Sequence, residues 1–154
     1  MLEGLVIREF EERDLPVLRR LILDAENFGE PFLEPEMLNI ERNDVPEFGR
    51  VYVAAVDGEV VGYITLRRNI FALAVDSIIV DRNHQRRGIG RALIKRAKDY
   101  ARSEGIKVLR TDTGTFMEYA IVFYLACGFE PCGYVEHDFG LHTRQLHFYM
   151  DLSE

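Results

Sequence analysis

The chain has no tryptophan, two cysteines and five prolines among 154 residues. Cys127 and Cys132 fall far below the density of a secreted disulfide scaffold, so free thiols in a reducing compartment are expected. No apolar run approaches the roughly 18 residues of a membrane span. Glu3 stands where a secretory leader carries basic residues, and together these features predict a cytoplasmic protein with no membrane partner. Repeats, linkers and low-complexity tracts are missing too, which leaves one domain over residues 1–154. A net charge of −7 argues against nucleic acid as a partner. His137, His142 and His147 stand with Cys127 and Cys132 at five-residue steps; such steps alternate faces on a strand, and no metal site is expected.

What is present is a core and an uneven charge. With 47% hydrophobic and 29% charged residues the chain matches globular proteins and excludes disorder. Arg82 to Arg110 hold ten of the 19 bases against Asp99 and Glu104 alone, giving that stretch +8 and the remainder −15. Asp24 to Glu47 carry eight acids against Arg42. Pro31, Pro35 and Pro46 interrupt this segment, which reads as loop and short helix on a mobile acidic surface.

Leu5–Arg8 reads as a first strand, and Asp14 is placed to cap a helix with Val17, Leu18, Leu21, Ile22 and Ala25 at helical spacing. Arg50–Val56 and Glu59–Arg67 flank Asp57-Gly58, the signature of a two-residue hairpin. Phe71–Val80 is an almost unbroken apolar run, as in a strand covered on both faces. A basic helix, Gly90–Glu104, ends at Gly105 and leads into a strand over Ile106–Asp112, a unit that should be parallel. Thr115 and Glu118 have capping-box spacing before a largely apolar helix through Cys127, which should be deeply buried. Phe129–Val135 and Gln145–Leu152 read as the last strands.

Gln85-Arg86-Arg87-Gly88-Ile89-Gly90-Arg91 joins a buried strand directly to a helix. Two glycines allow a tight turn and close approach of a ligand, and the unpaired amides of the first helical turn attract anions. Arg86, Arg87 and Arg91 add positive charge, so a phosphate or pyrophosphate is the expected ligand. Arg91-Ala92 follows Gly90 where a Walker loop has Lys-Ser/Thr, and the third glycine of a dinucleotide fingerprint is missing.

The run from Val75 through Gly90 resembles motif A of the GNAT superfamily of acyl-CoA-dependent N-acyltransferases, Q/R-x-x-G-x-G/A after a strand ending in Val. Ala120 to Phe129 is similar to that family's second signature, A-x-x-F-Y-x-x-x-G-F. The resemblance covers the chain from Leu5. It implies an α/β (α+β) fold with a central mixed, mostly antiparallel β-sheet, splayed at one parallel strand pair and flanked by helices. It implies acetyl-CoA as co-substrate, with backbone contacts from Ile78, Ile79 and Val80. Gln85, Arg86, Arg87, Gly88, Ile89, Gly90 and Arg91 would hold the pyrophosphate. Met117 replaces a frequent Asn, which removes one polar contact to the cofactor, and the common Pro two residues after Val80 is missing.

The activity implied is transfer of acetyl to a primary amine of a small molecule or protein. Tyr124 falls at the family's general-acid position, or else it is a packing tyrosine. Alternation along the strand puts 72, 74, 76, 78 and 80 on one face, where Asp76 is the only acid. Asp76 is then the candidate base, acting through a water, or else it merely pairs with a nearby cation or amide. The family commonly lines its acceptor side with the segment that here is Asp24–Glu47; its acidity suits a cationic amine and equally suits a solvated face. Dimers are frequent in the family, so a homodimer is among the expected states. The competing reading is a non-catalytic module that binds coenzyme A or another anion as a regulator.

Overall fold

Strands Leu5–Glu9 (β1), Gly49–Val56 (β2), Glu59–Arg68 (β3), Leu73–Val80 (β4), Val108–Gly114 (β5), Glu130–Glu136 (β6) and Arg144–Asp151 (β7) form one sheet in the order β1-β2-β3-β4-β5-β7-β6. Helices Leu15–Asp24 (α1), Glu30–Asn43 (α2), Ile89–Ser103 (α3) and Glu118–Ala126 (α4) flank it. The computed structural model describes residues 2–26, 28–138, 140 and 143–153. β4 and β5 run parallel, and the other neighbouring pairs are antiparallel, as the resemblance implied. His142 of the expected histidine series lies outside the described residues, among which no cluster of three metal-ligating side chains occurs.

The sheet's two faces follow from side-chain alternation. Val51, Val53 and Ala55 of β2 pack with Leu18, Leu21 and Ile22 of α1 and Leu33 and Ile40 of α2. Tyr52 and Ala54, pointing the other way, join Leu93, Ile94 and Ala97 of α3. Each such fully buried Leu or Ile contributes about 2 kcal/mol of burial. The β2–β3 turn is the expected tight hairpin: Asp57 and Gly58 have φ of +50° and +87°, the signs that a type I′ turn requires.

Several expectations need correction. Asp14 makes no cap for α1; Arg8 clamps its carboxylate through two bonds of 2.8 and 2.9 Å, and the Glu11 amide donates to it at 2.8 Å. The acidic segment is mostly one 14-residue helix, α2. Pro31 falls in the first turn, where no amide bond is lost, while Pro35 forfeits one bond. Burial of Leu33, Glu36, Ile40 and Asn43 at three- and four-residue spacing holds the helix against that loss.

α4 begins at Glu118 without a side-chain cap, so the capping box does not form, and Tyr124 is its one buried residue. Tyr119, Ala120, Val122 and Phe123 line an open cavity and Leu125 is exposed, so this apolar helix is not buried.

Alternation along β4 also breaks. Thr65 pairs with Ser77 but Leu66 pairs with Val75, leaving Asp76 as the extra residue of a β-bulge. Leu73 and Val75 face the α3 side before the bulge, as Ile78 and Val80 do after it, while Ile79 turns toward α1 and α2. Residues 72 to 80 therefore do not share one alternation. The strand is also half-covered at every second position instead of buried on both faces.

Candidate active site

The β4–β5 ladder ends almost as soon as it forms. Leu73, Ala74 and Val75 pair with Leu109, Arg110 and Thr111, and from Asp76 onward β4 is bonded on its β3 side alone. The Thr111 hydroxyl donates to the Val75 carbonyl at 3.2 Å at the point of divergence. The wedge so opened belongs to a cavity of about 990 Å³ that takes in Asp76 to Val80 of β4, the loop after it, the start of α3, α4, and residues of α2. Bulges next to open sheet positions commonly re-aim a side chain at a site.

At the loop, Gly88 caps α3 with φ of +85°, and Arg86 also has a positive φ of +63°. Such a turn aims successive backbone amides to one side, which makes an anion-binding concavity. Open space lies over Gly88, whereas a Cβ on Gly90 would come within 2.9 Å of the Phe123 ring. Gly90 thus lets α3 and α4 meet where both line the cavity. The Gln85 amide donates to the Val80 carbonyl at 3.2 Å, tying the loop to the strand end. Gln85, Arg86, Gly88, Ile89, Gly90 and Arg91 line the cavity, as do Ile78, Ile79 and Val80; Arg87 is exposed outside it. Arg86, Arg87 and Arg91 form no ion pair among the described residues, so their charge faces solvent and ligand.

Tyr124 reaches the same cavity from α4. It is 5% exposed and packs against Phe123, Phe129 and Phe148 at ring separations of 5.5, 5.5 and 5.8 Å. Burial pushes its phenol up to about 12, with a hydrogen bond to Thr111 acting the other way. The hydroxyl is therefore protonated at neutral pH and able to donate. Met117, where an Asn is common, uses its sulfur to accept the Thr113 hydroxyl at 3.4 Å.

Asp76 is ion-paired and hydrogen-bonded. Arg67 donates Nε at 3.0 Å to Oδ2 and Nη2 at 3.0 Å to Oδ1, and Asn43 donates at 3.1 Å to Oδ2. Asn43 donates as well to Asn39 at 3.0 Å, and Asn39 donates to Glu36 at 3.0 Å. Asn39 also sits beside the hydroxyls of Thr65 and Ser77, which share a 2.6 Å hydrogen bond. One face of α2 thus carries a polar chain, Glu36–Asn39–Asn43, from the buried Tyr63 hydroxyl to Asp76. Sequence reasoning missed these residues. Their signal is the recurrence of 36, 39 and 43 at helical spacing, which the prolines masked.

A parallel pair opened beside a strand-to-helix anion loop, with a protonated phenol in the same cavity, makes a site of the shape and charge that suit a phosphate-bearing cofactor along an exposed strand. Residues 15–129 match the model described as "Acetyltransferase (GNAT) family". The chain belongs to this family. It is 31% identical over 107 residues to N-acetyltransferase 8 of Homo sapiens, covering 64% of this chain and 46% of that protein. It is 34% identical over 91 residues to a streptothricin acetyltransferase of Escherichia coli, covering 58% and 52%. The chain thus matches about half the length of these curated relatives. In fold it is similar to a GNAT family acetyltransferase from Elizabethkingia anophelis with acetyl-CoA bound, with a TM-score of 0.79, 21% identity, and coverage of 98% of this chain and 100% of that one.

Proposed function

We propose that the chain is an acetyl-CoA-dependent N-acetyltransferase acting on a primary amine of a small molecule or protein, with cationic acceptors preferred. One observation carries this reading: a single cavity joins the unpaired arginines and free amides of the α3 start to Tyr124 and the carboxylates of Asp76 and Glu36. The relatives named as acetyltransferases support it.

Bound acetyl-CoA supplies an acetyl thioester. The residues present suit such a group: Gly88 leaves open space above an anion-binding turn, and Arg86 and Arg91 offer charge to phosphates. Ile78, Ile79 and Val80 would hold the pantetheine arm along the open strand. Tyr124 gives its proton to the departing sulfur. Asp76 takes the amine's proton through a water. Three N–H donors make four hydrogen bonds to its carboxylate, two on each oxygen, and the water takes the place of the longest, the 3.3 Å branch from Arg67 Nε to Oδ1. The two free cysteines, Cys127 and Cys132, accord with a cytoplasmic setting. Among the described residues no helix is long and apolar enough to cross a membrane.

The test is a thermal shift with acetyl-CoA followed by thiol release over a panel of amines. A shift with amine-dependent release supports the transferase. A shift without release from any amine would leave the anion-binding module in its place, and no shift at millimolar acetyl-CoA rejects the transferase.

A further inference from the structure

Among the described residues two acids are deeply buried, and they are treated differently. Asp14, 4% exposed, is clamped by the Arg8 guanidinium. Glu36, 9% exposed, accepts the Tyr63 hydroxyl and, at 3.0 Å, the Asn39 amide. Both of its donors are neutral, and Glu36 takes part in no ion pair among the described residues. A carboxylate removed from water without a cation is costly, and the cost is recovered when a cation reaches it. Glu36 lines the large cavity, so a ligand can be that cation.

Two further observations describe the ligand. Gln145, 4% exposed, lines the same cavity and donates its amide to Asp112 at 3.1 Å, while its Oε1 is buried without a partner. An unused acceptor in a cavity wall fits a ligand rich in N–H groups. Phe28 and Phe32, edge to face at 5.6 Å, line the cavity with Ala25 and Pro35, offering apolar surface for an alkyl chain.

The nitrogen held by Glu36 is not the one that reacts. A nitrogen on a buried carboxylate is stabilised as ammonium and has no lone pair for attack. Two bonded amides, Asn39 and Asn43, separate Glu36 from Asp76, and the seven helical steps from Glu36 to Asn43 span about 10 Å.

We propose that Glu36 is a subsite for a second nitrogen of the acceptor, held there as ammonium, so that the preferred substrates are alkyl diamines acetylated at the far end. The proposal rests on the transferase reading above.

The experiment compares 1,5-diaminopentane with 5-aminopentan-1-ol, which replaces one ammonium by a neutral hydroxyl. Calorimetric binding of the diamine is measured on protein saturated with CoA, for the wild type and Glu36→Gln. Thiol release from acetyl-CoA is measured with both amines. Loss of the charge-assisted contact weakens diamine binding about 10- to 100-fold in Glu36→Gln. The wild type prefers the diamine over the amino alcohol in kcat/KM by a similar factor, and the variant does not. Equal diamine binding by wild type and a folded Glu36→Gln overturns the proposal. If Glu36→Gln fails to fold, a wild-type preference near one overturns it. Glu36-dependent binding with no thiol release from any amine retains the subsite and removes the transferase reading, so the two failures are distinct.

Discussion

Tyr124 combines an acid's chemistry with a core residue's surroundings. Its phenol, raised to about 12 by burial, stays protonated in the fold where an exposed tyrosine has begun to ionise. Its contribution to stability is thus complete below pH 10 and is lost as the pH climbs from 10 toward 12. Tyr124→Phe keeps the ring contacts with Phe129 and Phe148 and removes the titration. Denaturant melts of this variant should fall less steeply between pH 10 and 12, by about 2 kcal/mol at the upper end. Turnover of the same variant should drop about 100-fold or more at neutral pH. Unchanged turnover would leave Tyr124 as packing only. Asp76 is the second residue-scale test. Its partner Arg67 is 56% exposed in its side chain and stays hydrated when the pair is broken. Asp76→Asn should therefore cost about 1 kcal/mol of stability or less. Its kcat should fall about 100-fold if the carboxylate takes the proton, and should hold if Asp76 only partners Arg67.

At the scale of elements, the junction of β4 with α3 decides whether a phosphate can be held. Gly88 has a φ that costs other residues about 1–2 kcal/mol, and Gly90 lies against Phe123 where a methyl group would overlap the ring. Gly90→Ala should loosen the α3–α4 contact and weaken acetyl-CoA binding. Gly88→Asp, which sets a carboxylate beside the amides, should abolish the thermal shift with acetyl-CoA; a preserved shift would move the phosphate site elsewhere. This junction was legible in the sequence because glycines, arginines and a helix start are local features. The Asp57-Gly58 hairpin and the apolar faces of α1 and α3 were legible for the same reason. What stayed hidden depends on partners distant in the chain. The bulge at Asp76 arises from register against Thr65 and Leu66. The helical state of 30–43 arises from burial against β2 and β3, which outweighs Pro35. Asp76 was singled out by an alternation that the bulge interrupts; it lines the cavity, but the argument for its direction fails.

Over the whole molecule, charge is sorted along one cavity. Arg86 and Arg91 line the part built by the loop and α3, while Glu26, Glu36, Asp76 and Asp112 line the same space from α2, β4, β5 and the turn after α1. A tetra-anionic cofactor and a cationic amine would each be drawn to its own side, and each would be repelled from the other's. This sorting is compatible with a net charge of −7, because attraction depends on local potential and not on the total. It also makes both KM values sensitive to salt, to different degrees. The loop arginines are exposed and unpaired, and their field is screened over about 8 Å at physiological ionic strength. Glu36 is buried and is screened much less. Raising salt from about 0.02 to 0.5 M should therefore raise the KM for acetyl-CoA several-fold, and the KM for a diamine acceptor by a smaller factor, in steady-state thiol-release assays. Equal factors for both would mean that the acceptor is held by exposed acids such as Glu26 and not by the buried carboxylate of α2.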